Sequence, residues 1–154
     1  QTALVLKAQR ERAVRDSIAA TDIEVQACMA IRNRVFPIEQ KVPPGREYAG
    51  LDDDAIHYLV WQEGKIVATA RLRVVENIAC IERVAVVPEA RRKGVALGLM
   101  QQILEDCRGE DGITESALSS QTYITGLYEK LGFKETGPIY EDAGLPHVKM
   151  ELQF

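Results

Sequence analysis

Three stretches of the chain place apolar residues at the spacing of an amphipathic helix. The first covers 22–36, where apolar residues recur at positions such as Ile31 and Val35. The second begins after Gly94 and is expected to extend for about three to four turns, and the third is short and covers 123–131. The apolar face of the second helix is predicted to consist of Ala96, Leu97, Met100, Ile103, Leu104 and Cys107.

Shorter apolar runs predict the strands of a sheet. From 66 to 74, apolar residues alternate with Thr69, Arg71 and Arg73, which predicts a half-buried strand with a solvated or substrate-facing side. The run 79–87 is more continuously apolar and predicts a central strand. Further strands are expected at 11–19, 57–62, 114–118, 133–137 and 147–154, with a tight turn at 63–64 and a loop over 37–56. This order of elements predicts an α/β (α+β) fold built on a mixed sheet.

The length of 154 residues fits one domain with a single core, and no linker or internal repeat divides the sequence. We therefore expect one domain over 11–154, preceded by an N-terminal extension over 1–10 that carries little structural information. No apolar run approaches the roughly 18 residues of a membrane span, and the first residues make a poor secretory signal. These features predict a cytoplasmic protein without a membrane partner.

Charge and cysteine content argue against two further classes of protein. The formal net charge is −4 and the pI is about 5.3, which is unfavourable for a general nucleic-acid-binding protein. Cys28, Cys80 and Cys107 are far apart and match no metal-binding spacing, so no metal is expected. They are predicted to be reduced, small apolar residues, with a nucleophilic cysteine as the alternative.

A cluster of cations stands directly before the second helix, where Arg91, Arg92, Lys93 and Gly94 follow the predicted central strand. Cations at a helix N-terminus oppose the helix dipole, which costs roughly a few tenths of a kcal/mol unless an anion binds there. The free amides of a helix start, with the room that a glycine leaves, suit a phosphate or pyrophosphate. The alternative is a solvated charge cluster with a loop glycine, but the strand–turn–helix context favours an anion site. The turn lacks Gly-Lys-Ser/Thr and Gly-x-Gly-x-x-Gly, so the anion is expected to belong to a large cofactor.

Two motifs resemble those of the GNAT N-acetyltransferases. The segment 84–96, which places Arg-x-x-Gly-x-Ala after a strand, is similar to the acyl-CoA signature of that family, and 127–133 is similar to its Tyr-x-x-x-Gly-Phe helix end. The segments that further resemble the small ElaA-like branch are 31–40, 81–84, 120–122 and 144–150, so that the similarity covers about 15–154. Two departures from the family pattern leave the residues of the acceptor pocket undetermined. Leu127 replaces an aromatic residue, and Ser119-Ser120 stands where branch members often carry Asn-Ala.

The resemblance implies a single-domain GNAT-like fold, with a mixed, mostly antiparallel sheet flanked by helices and two splayed central strands. It implies acetyl-CoA or coenzyme A as co-substrate, with no metal, and the amine of a small molecule or peptide as the acceptor that attacks directly. A homodimer is compatible with it, and a non-catalytic acyl-CoA-binding or sensing domain is the alternative function. The residues implied in cofactor binding are Val84, Ala85, Val86, Arg91, Arg92, Lys93, Gly94, Val95, Ala96, Gln121 and Tyr128.

Three residues are candidates for proton transfer in such a site. Tyr128 would be the general acid for the departing thiolate, and its alternative role is that of a packed aromatic residue. Glu82 would accept the amine proton, directly or through water, or would serve only as the partner of arginines on the same sheet. His147 would relay a proton near neutral pH or have a structural role. The residues expected near the acceptor are Glu39, Gln40, His57 and Arg71, of which His57 has a structural role as its alternative.

Overall fold

The computed structural model describes residues 22–35 and 55–154 of the chain. Its helices are α1 (Asp22–Asn33), α2 (Val95–Arg108) and α3 (Thr125–Glu129), and short 3₁₀ turns occupy Pro88–Ala90 and Thr122–Ile124. Its strands are β1 (Ile56–Gln62), β2 (Lys65–Val75), β3 (Ile78–Val86), β4 (Glu115–Gln121), β5 (Lys134–Glu135), β6 (Tyr140–Asp142) and β7 (Leu145–Gln153). Among the described strands, β6 has no counterpart in the sequence prediction.

The strands form one sheet in the order β1-β2-β3-β4-β7-β5, with β6 also paired to β7. The β3–β4 pair is parallel, whereas the other pairs among the described strands are antiparallel. The parallel pair arises because α2 carries the chain from the end of β3 back to the start of β4. The predicted mixed, mostly antiparallel sheet is confirmed.

The two central strands stay together for only three residue pairs. Residues 78–80 of β3 pair with residues 115–117 of β4. Beyond these pairs, β3 continues to Val86 and β4 to Gln121 without pairing to each other. The predicted splay of the central strands is therefore confirmed, and their facing edges are left without a strand partner in the described residues.

β3 contains a bulge just beyond the point of divergence. In the β2–β3 ladder the register shifts between Thr69 and Arg71, whose partners on β3 are Ala85 and Glu82. Two residues of β3 therefore stand opposite one residue of β2, and Arg83, the first of the two, has a φ of +54°. A bulge bends and twists its strand, which accounts for the departure of β3 from β4.

The polar side of β2 is not solvated at Thr69, which is fully buried, or at Arg71, which is 2% exposed. The alternative expectation of a substrate-facing side stays a prediction for Arg71. Val67 packs with residues of α1, and Ala68 packs with residues of α2. Both α1 and α2 therefore pack against β2. The hydroxyl of Thr69 donates to the carbonyl of Tyr58 at 2.8 Å, and Arg71 lines the cavity described below.

The helix α2 packs on the sheet through a face close to the predicted one. Leu99 is buried, whereas Leu97 is only half-buried, so the buried face is turned slightly from its predicted position. The buried residues of α2 are Leu99, Met100, Ile103, Leu104 and Cys107. This face fixes the helix against the sheet and thereby fixes the position of the turn that precedes it.

Two hairpin turns have consecutive residues with positive φ. Glu63 and Gly64, at +50° and +76°, connect β1 to β2 as predicted, and Ala143 and Gly144, at +53° and +80°, connect β6 to β7. Such pairs are typical of type I′ turns, whose twist matches that of the adjoining strands. An Ala-Gly pair is a weaker hairpin signal than Asn-Gly or Asp-Gly, which is why the sequence prediction contains no β6.

Several predicted features lie outside the described residues. These are the extension over 1–10, the strand at 11–19, and the loop at 37–56 as far as residue 54. No helix within 22–35 or 55–154 is long and apolar enough to cross a membrane.

Candidate active site

A cavity of about 570 Å³ lies between β3 and β4 where the two strands diverge. The predicted catalytic residues Tyr128, Glu82 and His147 all line it, although they come from α3, β3 and β7. Val84 and Gln121, predicted for the cofactor site, line it as well. The other lining residues are Arg71, Cys80, Ile81, Arg83, Ala117, Leu118, Ser119, Ser120, Ile124, Tyr140, Asp142 and Lys149.

Tyr128 is held by a closely wound helix end. Its carbonyl oxygen accepts bonds from the N–H groups of Leu131 and Phe133 at 3.0 and 3.1 Å, and Gly132 provides the left-handed conformation with a φ of +99°. The Phe133 ring packs edge-on to the phenol ring, with the centroids 6.2 Å apart. Tyr128 is 6% exposed, and burial raises the pKa of its phenol to about 12. The hydroxyl is therefore protonated at neutral pH and can donate a hydrogen bond to a group in the cavity.

Glu82 forms a charged cluster with two arginines of β2. Nε and Nη2 of Arg73 donate to its two carboxylate oxygens at 2.7 and 3.0 Å. Nε and Nη2 of the buried Arg71 approach Oε1 at 3.2 and 3.1 Å. Burial alone would raise the pKa of Glu82, but the hydrogen bonds and charges of Arg73 and Arg71 outweigh it and hold that pKa below its usual value. The carboxylate is thus a firm partner of both guanidinium groups and a weak proton acceptor.

His147 lies on β7 opposite Gln121 of β4 on one side and Tyr140 of β6 on the other. Its Nδ1 is 2.8 Å from the carbonyl oxygen of Leu145. Because a carbonyl oxygen can only accept, Nδ1 carries the proton in this bond, and the neutral ring has Nε2 as its acceptor. The ring of Tyr140 stacks on the imidazole at 6.1 Å between centroids and 30° between planes. His147 therefore contributes an oriented imidazole to the cavity wall.

The residues predicted near the acceptor are separated by the structure. Arg71 lines the cavity, but His57 is not among the residues that do. His57 is 5% exposed, stands opposite Arg71 in the β1–β2 ladder, and its Nδ1 lies 2.8 Å from Nη2 of Arg32. Because a guanidinium can only donate, this ring is neutral with its proton on Nε2, which fits the structural alternative. Glu39 and Gln40 lie outside the described residues.

The predicted anion turn connects β3 to α2. Residues 91–94 are exposed, and Gly94 immediately precedes the helix with a φ of +76°. The N–H of Gly98 donates to the carbonyl of Gly94, so the amides of residues 95–97 have no acceptor within the helix. A Cβ on Gly94 would meet no atom within 4 Å. Glycine is therefore favoured here by its backbone conformation, and the space beside it is open.

Two side-chain contacts fix the approach to this turn. Nε of Arg91 donates to the carbonyl of Val86, the last residue of β3, at 3.0 Å. Glu89, in the 3₁₀ turn, accepts from both terminal nitrogens of Arg34 at 2.9 and 3.1 Å. Arg34 directly follows α1, and both partners of this ion pair are exposed. The anion turn is thereby connected to the sheet on one side and to α1 on the other.

The profile of the acetyltransferase (GNAT) domain matches residues 19–154. The chain belongs to the GNAT acetyltransferase family. YyaT, an uncharacterized protein of Bacillus subtilis, is 32% identical over 137 residues, which make up 87% of this chain and 92% of that protein. The structure of an acyl-CoA N-acyltransferase from Pseudomonas aeruginosa is 31% identical, with a TM-score of 0.77. The structure of ElaA from Escherichia coli has 28% sequence identity to this chain and a TM-score of 0.75. Both of these structural alignments cover 85% of this chain and 91% of the solved chain.

These comparisons confirm the resemblance to GNAT proteins of the ElaA-like branch. They also establish the general class of activity, because the GNAT family and its solved members identify this chain as an acyltransferase.

Cys80 also lines the cavity of this GNAT domain. Burial raises the pKa of its thiol, so the side chain is a weakly nucleophilic thiol near neutral pH. Burial likewise raises the pKa of Cys28 and that of Cys107, the latter to about 12. No three His, Cys, Asp or Glu side chains within the described ranges are grouped to hold a metal ion.

Apart from His147, sequence reasoning missed the residues that β6 and β7 contribute to the GNAT cavity. Tyr140, Asp142 and Lys149 line it, and the hydroxyl of Tyr140 is hydrogen-bonded to that of Ser119 on β4. The available signal is weak, because β6 has only three residues and its turn lacks a typical hairpin pair. A search for a strand that could pair with the predicted strand at 147–154 would have been needed to find it.

The Glu82 cluster predicts how the stability of the GNAT domain depends on pH. The folded pKa of Glu82 lies below the ordinary value of 4.5, so the unfolded state binds more protons between these two values. The contribution of Glu82 is therefore fully present above about pH 4.5 and is lost as the pH falls through the folded pKa. At neutral pH we expect Glu82→Gln to lower the free energy of unfolding by about 1–3 kcal/mol. When the pH is lowered from about 6 to about 3, we expect Glu82→Gln to lose less stability than the wild type loses.

Urea unfolding at several pH values measures this difference. The matched control is Glu105→Gln on the exposed side of α2, which should keep the wild-type pH dependence. Equal acid sensitivity of Glu82→Gln and the wild type would contradict the interpretation.

Proposed function

We propose that the chain is an acetyl-CoA-dependent N-acetyltransferase in which the amine of a small molecule or peptide attacks the acetyl group directly. The observation that carries the proposal is the location of the cavity. It opens where β3 and β4 diverge, and Tyr128 and His147 are both in its wall. β3 then leads from the cavity to the anion turn at 91–96. One extended molecule, with a thioester at one end and a pyrophosphate further along, matches this path.

The facing edge of β3 would hold the pantetheine arm of acetyl-CoA. Beyond Cys80, this edge has no strand partner among the described residues. The amides of an extended ligand can bond to such an edge as another strand would. The N–H of Val87 donates to the carbonyl of Val67 on β2, so Ala85 also faces β2 and the alternate residues face the open edge. We therefore assign these contacts to the backbone of Val84 and Val86, with Gln121 of β4 on the opposite side.

The anion turn would hold the pyrophosphate. The amides of residues 95–97 stand at the positive end of the α2 dipole, and the space beside Gly94 is open. Arg91, Arg92 and Lys93 are exposed beside them and supply charge-assisted donors. The residues of the turn therefore fit the most highly charged part of coenzyme A.

Acetyl-CoA, when bound, supplies the acetyl group as a thioester that the amine attacks. An alkylamine with a lysine-like pKa of about 10.4 is mostly protonated at neutral pH, so a base must take its proton. We assign this role to Nε2 of His147, which is the acceptor of the neutral ring. Glu82 is held by Arg71 and Arg73, and we assign it the role of keeping the Arg71 guanidinium in the wall.

Two groups would stabilise the charge that develops during transfer. Tyr128, whose phenol stays protonated, donates to the sulfur as the thiolate departs. A backbone N–H on the unpaired edge of β3, at residues 84–87, donates to the carbonyl oxygen of the acetyl group as it gains negative charge. Base and acid thus come from different walls of one cavity, which allows the amine and the thioester to meet between them.

Alanine substitutions at two glycines near the start of α2 distinguish an effect on the anion turn from an effect on helix stability. Gly94→Ala forces a side chain into the left-handed conformation, at a cost of about 1–2 kcal/mol, and fills the open space beside the turn. We expect the affinity for CoA to fall by roughly tenfold. The control is Gly98→Ala, whose Cβ also meets no atom within 4 Å but whose φ is not positive. It should keep the affinity and raise stability by about 0.5–1 kcal/mol.

Calorimetry with CoA, ATP and NAD in parallel measures both variants and the wild type. Binding of ATP or NAD in preference to CoA would contradict the cofactor assignment. Equal affinities for CoA in the two variants would remove Gly94 from the site.

Tyr128→Phe is expected to lower the rate of transfer by roughly 100-fold, because it removes the proton donor for the leaving group. The affinity for acetyl-CoA should change little, since the ring still packs against Phe133. The matched control is Tyr123→Phe, at a tyrosine that is 71% exposed. Turnover measured by thiol release, beside calorimetry, tests this expectation, and an unchanged turnover would exclude Tyr128 from the mechanism.

The proposed activity itself is tested by a screen for thiol release from acetyl-CoA. The panel should contain simple amines, polyamines, aminoglycosides, amino sugars and peptides, and each hit should be checked for the mass of one added acetyl group. We expect at least one amine to be acetylated. Good binding of CoA without acetylation of any amine in the panel would favour the alternative, a non-catalytic acyl-CoA-binding or sensing domain.

A further inference from the structure

We propose that Tyr140 is a positioning residue for His147, acting through the stacked ring and through a hydroxyl anchored to Ser119. The proposal rests on the catalytic role that is proposed above for His147. Tyr140 itself need not touch either substrate. It would keep the imidazole in the one orientation in which Nδ1 is bonded to the backbone and Nε2 is left as the acceptor.

The hairpin of β6 and β7 sets the two rings side by side. β6 pairs with β7 so that Tyr140 stands opposite His147. The turn between the strands is fixed by positive φ values at Ala143 and Gly144. On its other side, His147 stands opposite Gln121 of β4. The backbone of His147 is therefore held between two strands, whereas the orientation of its ring depends on side-chain contacts.

The Tyr140 side chain crosses β7 from one neighbouring strand to the other. Its backbone belongs to β6, and its hydroxyl is bonded to Ser119 of β4. Ser119 stands opposite Lys149, two positions along β7 from His147. These four residues all line the cavity, so the phenol passes over the cavity side of β7 beside the imidazole. Both ends of the tyrosine side chain are thus fixed.

The imidazole is oriented by two contacts of different kinds. The bond from Nδ1 to the Leu145 carbonyl, at 2.8 Å, selects the tautomer. The Tyr140 ring, stacked at 6.1 Å and 30°, limits rotation of the imidazole plane. Tyr140 is 41% exposed, so it is not a residue of the buried core. A ring anchored at both ends and placed against a candidate base is better explained by control of that base.

The two histidines of the chain make this proposal testable by NMR. Nδ1 of His57 accepts a bond from Arg32, whereas Nδ1 of His147 donates to a carbonyl. The full-length protein should therefore show opposite ring tautomers in a long-range ¹⁵N–¹H spectrum. Loss of one pattern in His147→Gln assigns the signals, and His57 then serves as an internal control within the same sample.

We expect Tyr140→Leu to move the His147 pattern towards an average of the two tautomers while the His57 pattern stays unchanged. For an acceptor found in the screen, kcat should fall by roughly tenfold through loss of orientation. The affinity for acetyl-CoA should stay within about twofold of the wild-type value.

Tyr140→Phe retains the ring and should recover most of the loss in kcat. Tyr140→Phe and Ser119→Ala remove the same hydrogen bond, so their small effects should not add in the double variant.

Tyr123→Leu is the matched control at an exposed tyrosine and should leave both the spectrum and kcat unchanged. A His147 pattern in Tyr140→Leu identical to that of the wild type would overturn the proposal. An altered pattern with unchanged kcat would overturn it as well. The spectrum does not depend on turnover, so a failed amine screen would contradict the proposed function while the tautomer result still decides the positioning role. If Tyr140→Leu does not fold, the same comparison is made with Tyr140→Val, which also removes the stacked ring and suits a strand position.

Discussion

The early end of the β3–β4 pairing is the constraint on which the rest of the site depends. Residues 78–80 form the only parallel pairs found in the described sheet, and the bulge at Arg83 then carries β3 away from β4. Backbone N–H and C=O groups on the facing edges are left without a strand partner, and such groups must be satisfied by water or by a ligand. The fold therefore contains a gap of defined width and polarity in the middle of its sheet. The cavity wall and the path to the anion turn both follow from that gap.

The walls of this gap give chemically different properties to groups that lie close together. Burial keeps the phenol of Tyr128 protonated. A backbone carbonyl determines which nitrogen of His147 can accept a proton. The carboxylate of Glu82 is held by two guanidinium groups and is therefore a poor proton acceptor. Roles that the residue types alone leave open are thus separated by their surroundings.

The sequence predicted the parts of this molecule that local patterns control. Gly94 before an apolar helix and Gly132 after a short one mark chain conformations that other residues adopt at a cost, so both could be recognised without coordinates. The splay of β3 and β4 came from the resemblance to a family, since nothing in either strand alone specifies where their pairing ends.

The features that the sequence did not reveal depend on contacts between distant residues. Thr69 and Arg71 look like a solvated strand face, yet both are buried, Arg71 in the wall of the cavity, which periodicity within one strand cannot show. Glu82 could be a base or an ion-pair partner until its distances to Arg71 and Arg73 were known. Tyr140 lies on a strand of three residues that pairs, among the described strands, with β7 alone. Ser119, noted above as a departure from the ElaA-like pattern, is hydrogen-bonded to this tyrosine.

The ion pair between Arg34 and Glu89 gives the anion turn an indirect sensitivity to ionic strength. Both side chains are exposed, so dissolved salt weakens their attraction. The same salt screens the exposed cations at 91–93 from a phosphate. Added electrolyte would therefore act twice, once on the cations proposed to attract the pyrophosphate and once on the ion pair that connects Arg34, after α1, to the turn. Affinity for a pyrophosphate should then decline more steeply with salt than three surface cations alone would cause.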